Sequence, residues 1–540
     1  MPMLPEFIAF YSRKNRWWAP IVIGLVFSIC FAPLDPGMHP LLFPFPFFGF
    51  VVLIPLFAFA SQTNRRRALW HSYLYGVAAC ISQYYWVSFV LAEGLWPLIA
   101  AGTVLLCLYL GLYFLLAAMA CRFAKRHFPV WYPAIVPAFW VCLEWARGSG
   151  ELSFPWNFLG YTLTPILPIA QLASICGVFG LSYLVVLGNL LLFDWLREWQ
   201  SSGGWRNRRL RFVVAFVIGL GGVSVWGFFR SSGPLPAGGR MKISLIQTHF
   251  NQNQWGSNSL DTSFAVAETM VYRAGTQKPD LIILPESALL CYLSRRSSLC
   301  GRVIHWRDSV RAPVFVGALD WTRPSTRSYY EYWVYNTSFF LGRDAQVLRP
   351  YYKIKLVPFS EALPFEARIP LLSRVNLGEA DFHAGVDPEV VDVAPGVRAG
   401  PLICYEIIYT DFVRRRVRSG ANLLVNITND GWFGHSAAPF QHAAMARMRC
   451  IENGVALARC ANSGISEFVD AKGRVLSKTR LYTRTVLTDT LPLSRIHTIY
   501  SRAGDWPVWV SMIIAALALG AGCIIGRRKQ DKAFAQSSRS

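Results

Sequence analysis

Long apolar stretches fill the first 230 residues of the chain and return once near its C-terminus. A helix that crosses a bilayer needs about 20 mostly apolar residues, and somewhat shorter spans occur. The pattern therefore predicts an α-helical membrane bundle of eight transmembrane helices. The predicted spans are Trp17–Phe31, Leu41–Ala60, Trp70–Leu91, Trp96–Ala120, Val130–Trp145, Ile169–Leu196, Phe212–Phe229 and Val508–Ile525.

Between the seventh and eighth stretches the pattern changes to short β-branched and Leu-rich runs separated by helical segments. Predicted strands are Lys242–Ile246, Leu281–Leu284, Val314–Val316, Ser338–Leu341, Leu402–Ile403 and Leu423–Asn426, and predicted helices include Thr262–Ala274 and Gln441–Asn453. Strands that alternate with helices indicate a layered α/β domain. We therefore divide the chain into a seven-helix bundle (1–230), a Gly- and Pro-rich linker (231–240), a water-facing domain (241–495), the eighth membrane helix (506–526) and a tail (527–540).

Lys and Arg residues lie in short clusters beside the predicted spans. Such clusters mark the cytoplasmic loops of membrane proteins. With eight spans, every cluster falls on the same side of the membrane, which places both termini in the cytoplasm and the α/β domain on the outer face. The clusters are Arg13–Arg16, Arg65–Arg67, Arg122–Arg126, Arg197–Arg211 and Arg527–Lys532.

Composition supports the membrane interpretation. The 540 residues are 53% hydrophobic and only 16% charged, whereas a soluble globular chain carries about 25% charged residues. The formal net charge of +22 would by itself suggest nucleic-acid binding. Because the positive charge is concentrated in loops between apolar stretches, we expect no nucleic-acid partner.

Cysteine spacing argues against a structural metal site. None of the 12 cysteines belongs to a CxxC pair or to a Cys/His cluster at zinc spacing. Cys291 with Cys300, and Cys450 with Cys460, could form disulfides if the outer compartment is oxidising. The sequence leaves both pairings open, and neither of them involves Cys404.

Three reactive residues each follow an apolar run: Glu286 in LPES, Lys353 in YYKIK and Cys404 in LICYE. A partly desolvated carboxylate suits a general base, a lysine can stabilise an oxyanion, and a cysteine beside both can attack an ester as the thiolate. Each residue alone also has an ordinary explanation: a solvated carboxylate, a lysine packed along aromatic rings and a buried thiol.

Together these residues resemble the Glu-Lys-Cys triad of the nitrilase superfamily, in the same chain order. Because such a domain precedes the last of eight predicted helices, the chain resembles more narrowly the family of bacterial apolipoprotein N-acyltransferases. Matching motifs are Phe31-Ala32-Pro33, Tyr85-Trp86-Val87, Glu144-Trp145-Ala146-Arg147-Gly148, Phe154-Pro155-Trp156, Tyr335-Asn336-Thr337-Ser338, Asn429-Asp430-Gly431-Trp432-Phe433-Gly434, Gln441-His442, Arg447-Met448-Arg449 and Asn462-Ser463-Gly464-Ile465.

The resemblance implies a nitrilase-like αββα sandwich with Glu286 as the base, Lys353 as the oxyanion stabiliser and Cys404 as the nucleophile. It also implies supporting positions around the site. They are Trp255, Glu361, Tyr405 and Glu406, with Trp432 and Phe433 in a mobile loop over the site. On the residues alone, Trp432 and Phe433 fit equally well as an apolar core or capping pair.

The implied reaction has two half-reactions. In the first, Cys404 takes an acyl chain from a phospholipid, typically the sn-1 chain of phosphatidylethanolamine, and holds it as a thioester. In the second, the chain passes to the N-terminal α-amine of a diacylglyceryl-cysteine lipoprotein. The resemblance further implies no metal and no cofactor, a monomer, and a location in the bacterial inner membrane with the catalytic domain in the periplasm.

Two other functions remain open on the residues alone. A membrane-anchored amidase of the nitrilase type could use the same triad, although eight helices exceed what an anchor needs. A transporter with an extracytoplasmic binding domain is the second alternative. Charged residues in mid-membrane would favour transport, and the predicted spans contain few of them.

Overall fold

The computed structural model describes residues 18–31, 45–90, 96–202, 208–250, 259–324, 331–366, 368–369, 382–386 and 390–537. Its α-helices before the first strand are α1 (Ala19–Leu25), α2 (Ile54–Ala60), α3 (Arg65–Tyr84), α4 (Trp96–His127), α5 (Tyr132–Arg147), α6 (Leu167–Ala170), α7 (Ala173–Ser202) and α8 (Leu210–Ser232). Those after it are α9 (Ser259–Gly275), α10 (Ser297–Val310), α11 (Thr410–Arg418), α12 (Ala438–Asn453), α13 (Ile499–Ala503) and α14 (Trp506–Ser537).

Local sequence explains where several bundle helices begin. Proline occupies the first turn of α1, α2 and α5, where its missing N–H costs nothing. At the start of α3, the Asn64 side chain accepts a hydrogen bond from the Arg67 N–H at 3.0 Å, which caps an otherwise unpaired donor.

The structure does not confirm the predicted count of eight spans, which stays a prediction. Within the described residues, four helices are long and apolar enough to cross a membrane, namely Trp96–His127, Ala173–Ser201, Leu210–Ser232 and Trp506–Ile525. Shorter apolar helices, Ala19–Phe31 and Pro46–Ala60, lie within the first two predicted spans. The fifth predicted span corresponds to α5, which has only 16 residues. The third corresponds to α3, which carries too many polar residues to count as an apolar span.

In the described part of the chain between α8 and α14, the strands form two six-stranded sheets. The strands are β1 (Arg240–Gln247), β2 (Leu281–Ile283), β3 (Val314–Thr322), β4 (Trp333–Leu341), β5 (Arg349–Tyr352), β6 (Val391–Ala394), β7 (Val397–Ile403), β8 (Leu423–Thr428), β9 (Ala456–Ala461), β10 (Glu467–Val469), β11 (Val475–Lys478) and β12 (Thr485–Pro492). One sheet has the order β12-β1-β2-β3-β4-β5 and the other β11-β10-β9-β8-β7-β6. The central strands of each sheet run parallel.

The sheets face each other across a shared apolar core that includes Leu245 and Phe315 of one sheet and Val425 of the other. Helices α9 and α10 cover the outer face of the first sheet. Helices α11 and α12 cover the second, through side chains such as Met448. The αββα sandwich expected from the sequence is therefore confirmed.

The sandwich is fixed to the bundle by a continuous core and by buried polar contacts. Apolar residues of α11 and α12 belong to the same buried cluster as the bundle helices. Among the polar contacts, Glu452 Oε1 on α12 accepts the Val178 N–H of the bundle at 2.9 Å. Gly177 has φ +61°, and a Cβ there would lie 2.5 Å from the Tyr500 ring, so glycine is needed for this approach.

All twelve cysteines are free thiols. The two pairings that the sequence left open are not formed. Cys300 Sγ donates to the Leu293 carbonyl at 3.1 Å, and Cys460 Sγ donates to the carbonyls of Ile246 and Ile283.

Candidate active site

The candidate site lies where strands of both sheets end. Glu286 follows β2 of one sheet, Lys353 comes directly after β5 of the same sheet, and Cys404 comes directly after β7 of the other. Gly317 on β3 allows the chain around Glu286 to approach, since a Cβ at Gly317 would lie 2.3 Å from the Pro285 carbonyl oxygen.

A buried lysine lies between two carboxylates. Lys353 Nζ is 2.7 Å from Glu361 Oε1 and 3.6 Å from Glu286 Oε1. Asn336 Nδ2 donates to both carboxylates, at 2.7 Å to Glu286 and 3.2 Å to Glu361. The carboxyl of Glu286 also feels the Asn429 backbone N–H, which lowers its pKa in part.

Burial sets the protonation of this cluster. Burial raises the pKa of Glu286, Lys353 opposes that rise, and Glu361 adds to it, so the net pKa lies above the ordinary value. Burial lowers the pKa of Lys353, but Glu361 and Glu286 together outweigh it and raise that pKa. The lysine is therefore an ammonium group, and Glu286 is a stronger base than an exposed glutamate.

The thiol of Cys404 faces this charged cluster from the opposite sheet. Its pKa is raised by burial first and by Glu286 second, and Lys353 lowers it in part. The resting side chain is consequently a neutral thiol at neutral pH, and it needs a base to become a nucleophile. Cys404 also has φ +48°, which places the residue in the left-handed region that non-glycine residues rarely adopt.

Comparison with known proteins identifies the family. Residues 23–191 match the model described as the apolipoprotein N-acyltransferase N-terminal domain, and residues 243–500 match the carbon-nitrogen hydrolase model. An apolipoprotein N-acyltransferase of Geobacter metallireducens is 31% identical, with 95% of this chain and 97% of the relative covered. The chain belongs to the apolipoprotein N-acyltransferase family.

Another apolipoprotein N-acyltransferase, from Haemophilus influenzae, is 28% identical over 94% of this chain and 95% of the relative. Among solved structures, Nit3 of Saccharomyces cerevisiae is 17% identical, with 49% of this chain and 93% of Nit3 covered at a TM-score of 0.36. In this member of the N-acyltransferase family, Glu286, Lys353 and Cys404 all fall within the part that matches the carbon-nitrogen hydrolase model.

Glu406 joins the segments that carry Lys353 and Cys404. Its Oε1 accepts the Ile354 N–H at 2.7 Å, and its Oε2 accepts the Ile403 N–H at 2.8 Å. The Tyr351 hydroxyl donates to the same fully buried carboxylate at 2.8 Å. Glu406 thus fixes the backbone just after Lys353 and just before Cys404. It does not itself contact the Lys353 ammonium group.

Replacing Glu406 with alanine should destabilise the N-acyltransferase strongly. The variant leaves the Tyr351 hydroxyl and three backbone N–H groups without their acceptor. It also removes the carboxylate that lies 4.0 Å from the buried Arg416. Breaking a buried charge contact of this kind costs about 3–5 kcal/mol. Thermal unfolding in detergent should show a clear fall in Tm. Glu268→Ala is the matched control, because its partly exposed pair with Arg302 contributes about 0–1 kcal/mol; equal Tm values for the two variants would contradict this role of Glu406.

Aromatic residues link the site to the bundle. The Tyr405 hydroxyl donates to the Ser153 carbonyl at 3.3 Å, and the Tyr405 ring stacks on Trp156 at 6.5 Å. Phe433 packs against Trp86 and Trp156, with ring centroids 4.8 and 5.8 Å apart. Trp432, its neighbour, is half-buried.

These positions leave some sequence predictions open. Phe433 contacts the bundle, and the proposed mobility of its loop stays a prediction. Trp255 lies outside the described residues.

The structure assigns contacts to residues for which the sequence suggested no role. Asn336 binds both carboxylates, and Trp156 connects the bundle to Tyr405 and Phe433. His442 contacts the backbone of the nucleophile, with Nε2 3.2 Å from the Cys404 carbonyl oxygen. All three lie in motifs identified in the sequence. Their contacts join separate elements, so the spacing of residues along the chain does not predict them.

Proposed function

We propose that the protein moves an acyl chain from a phospholipid to the N-terminal α-amine of a diacylglyceryl-cysteine lipoprotein, with residues 241–495 as the catalytic domain. One observation carries the proposal: the Cys404 thiol, the Glu286 carboxylate and the Lys353 ammonium group are buried together in a chain of the apolipoprotein N-acyltransferase family. Phosphatidylethanolamine is the expected donor, and its sn-1 chain is the group transferred.

In the first half-reaction, Glu286 accepts the proton of the Cys404 thiol, and the thiolate attacks the ester carbonyl carbon. Lys353 and nearby backbone N–H groups stabilise the tetrahedral oxyanion. The carbon–oxygen bond of the ester then breaks, and protonated Glu286 returns its proton to the departing lysophospholipid oxygen. The acyl chain remains on Cys404 as a thioester.

In the second half-reaction, the lipoprotein α-amine attacks the thioester carbonyl carbon. Glu286 accepts a proton from the amine, and the tetrahedral intermediate collapses with loss of the Cys404 sulfur. That sulfur takes the proton back from Glu286, so the thiol and the carboxylate are both regenerated. The product is an amide, and the enzyme needs no cofactor for either step.

The bundle gives this chemistry access to lipid. Both substrates keep acyl chains in the bilayer, and extracting a chain costs about 0.8 kcal/mol for each CH₂. A site that contacts the bundle through Tyr405, Trp156 and Phe433 can receive the reacting carbonyl while the chains stay in apolar surroundings. We propose that the monomeric protein lies in the bacterial inner membrane, with this site on the periplasmic side and both termini in the cytoplasm.

A transfer assay tests the proposal. The purified protein is incubated with phosphatidylethanolamine and a diacylglyceryl-cysteine peptide, and the peptide is analysed by mass spectrometry. The expected result is a mass increase of one acyl chain on the α-amine, with release of lysophospholipid. Free fatty acid without peptide modification, or rapid cleavage of small amides, would instead identify a membrane-anchored amidase.

The pH dependence of the first half-reaction should follow Glu286. The carboxylate form is the base, and its pKa lies above 4.5, the ordinary value. The rate of acyl-enzyme formation should therefore rise with pH through a midpoint above 4.5, and Glu286→Gln should be slow at every pH. Single-turnover rates measured in protein that stays folded across the range check this expectation. A wild-type midpoint below 4.5 would contradict the assignment of Glu286.

A further inference from the structure

The backbone of Cys404 needs support that the proposed chemistry does not explain. A non-glycine residue with φ near +48° is strained and keeps that conformation only where its surroundings impose it. Glu406 holds the Ile403 N–H just before the nucleophile. The carbonyl of Cys404 itself is held from another direction.

His442 on α12 holds that carbonyl. Its Nε2 lies 3.2 Å from the Cys404 oxygen, and because a carbonyl oxygen only accepts, Nε2 is the donor. Burial and Arg459 lower the pKa of His442, so the ring is neutral and its Nδ1 is the acceptor. Nδ1 accepts from Arg459 Nη2 at 3.1 Å, and Asp430, with Oδ1 2.9 Å from Nδ1, holds that arginine through Oδ2. The ring is thus held on both edges, and its side chain is completely buried.

Asp430 is itself held in place by residues of β8 and β9 and by close packing at Gly464. Arg459 Nη2 on β9 donates to Asp430 Oδ2 at 2.8 Å, and Thr428 at the end of β8 donates to Oδ1 at 3.1 Å. A Cβ at Gly464 would lie 2.2 Å from Oδ2, so only glycine leaves room for the carboxylate. Burial raises the pKa of Asp430, but Arg459 and His442 outweigh it and lower that pKa to about 2, so the group is a carboxylate.

We propose that Asp430 and His442 are a positioning pair that acts on the reaction through the peptide between Cys404 and Tyr405. This inference rests on the proposed function. A peptide unit is planar and trans, so a hydrogen bond that fixes the Cys404 carbonyl also fixes the Tyr405 N–H on the opposite side. That N–H begins the helical turn Cys404–Ile408, where the first N–H groups have no partner within the turn.

The pair therefore has two effects around the nucleophile. It holds the Cys404 conformation that directs the thiol toward Glu286 and Lys353, and it directs the Tyr405 N–H as an oxyanion donor. Donation to the carbonyl also polarises the peptide, which strengthens its N–H as a donor. Neither effect requires His442 or Asp430 to touch the substrate, which is why they are positioning residues.

Two substitutions at one position separate these effects from ordinary packing. In His442→Gln, the amide nitrogen can reach the place of Nε2 and donate to the Cys404 carbonyl. In His442→Asn, the shorter side chain can reach only the place of Nδ1, and the carbonyl loses its donor. Both variants remove the same aromatic ring. Asn is one CH₂ shorter than Gln, and only Gln keeps a donor to the Cys404 carbonyl.

The readout is the single-turnover rate of acyl-enzyme formation with phosphatidylethanolamine, measured by intact mass beside Tm. We expect His442→Asn to slow acylation by about 100-fold, the effect of losing one oxyanion donor, with KM for the phospholipid unchanged. His442→Gln should stay within about 5-fold of the wild-type rate. Equal losses in both variants, following a common fall in Tm, would overturn the proposal and leave His442 as a packing residue.

A second variant keeps the test decisive if His442→Asn does not fold. Asp430→Asn preserves shape and leaves an oxygen for Arg459, and acylation at least about 10-fold slower at nearly wild-type Tm would support the pair. An unchanged acylation rate would overturn it. Wild-type protein that forms no acyl-enzyme would refute the proposed function instead, so the two failures are distinguishable.

Discussion

Replacing Cys404 with alanine should abolish turnover, with a loss of at least about 10⁴-fold, because no other group takes the place of a nucleophile that forms a covalent intermediate. The side chain is small and 8% exposed, so the fold should tolerate the change. Acyl transfer to a diacylglyceryl-cysteine peptide and the Tm in detergent check both parts of this expectation.

Cys460→Ala is the matched control for that variant. Cys460 is also a buried thiol of the sandwich, and it donates to the carbonyls of Ile246 and Ile283. It should keep its activity while losing a similar amount of side-chain volume. Residual turnover in Cys404→Ala above about one hundredth of wild type would mean that acyl transfer does not pass through this sulfur.

Replacing Lys353 with methionine should reduce acylation by about 100–1000-fold, the effect of losing one oxyanion stabiliser. It should also destabilise the protein, because Glu286 and Glu361 would face each other without the ammonium group that lies 3.6 and 2.7 Å from them. Removing one partner of a buried charge cluster costs about 3–5 kcal/mol.

A double variant separates the two roles of Lys353. Adding Glu361→Gln to Lys353→Met removes one of the two opposed carboxylates and keeps an oxygen to accept the Val357 N–H at 2.9 Å. Stability, measured as Tm, should recover in large part, whereas acylation should not. If activity returned together with Tm, Lys353 would be only a structural counter-charge.

The catalytic candidates were predictable because each is marked locally. Glu286 and Cys404 each follow an apolar strand, and Lys353 follows the aromatic pair Tyr351-Tyr352. Strands that run in the same direction end at a common edge. The sandwich was predictable for a similar reason, since short buried strands alternate with amphipathic helices. Register and sheet order were not, because they depend on which strands from distant parts of the chain pair, such as β1 with β12.

The contacts that support the site depend on tertiary structure. Asn336 binds Glu286 and Glu361 across three separate segments, and no spacing in the sequence indicates that geometry. Hydropathy alone also did not determine the number of membrane spans. Apolar stretches such as Val130–Trp145 contain prolines and polar residues, and the corresponding helix, α5, is too short by itself to meet the length of a full span.

The most direct test of a thioester on Cys404 is the intact mass of the protein after incubation with phosphatidylethanolamine, before and after addition of a diacylglyceryl-cysteine peptide. We expect a mass increase of one acyl chain that hydroxylamine removes, that Cys404→Ala lacks, and that disappears as the peptide gains the same mass. Peptide acylation without any adduct on the wild-type protein, or an adduct that persists in Cys404→Ala, would contradict a thioester on Cys404.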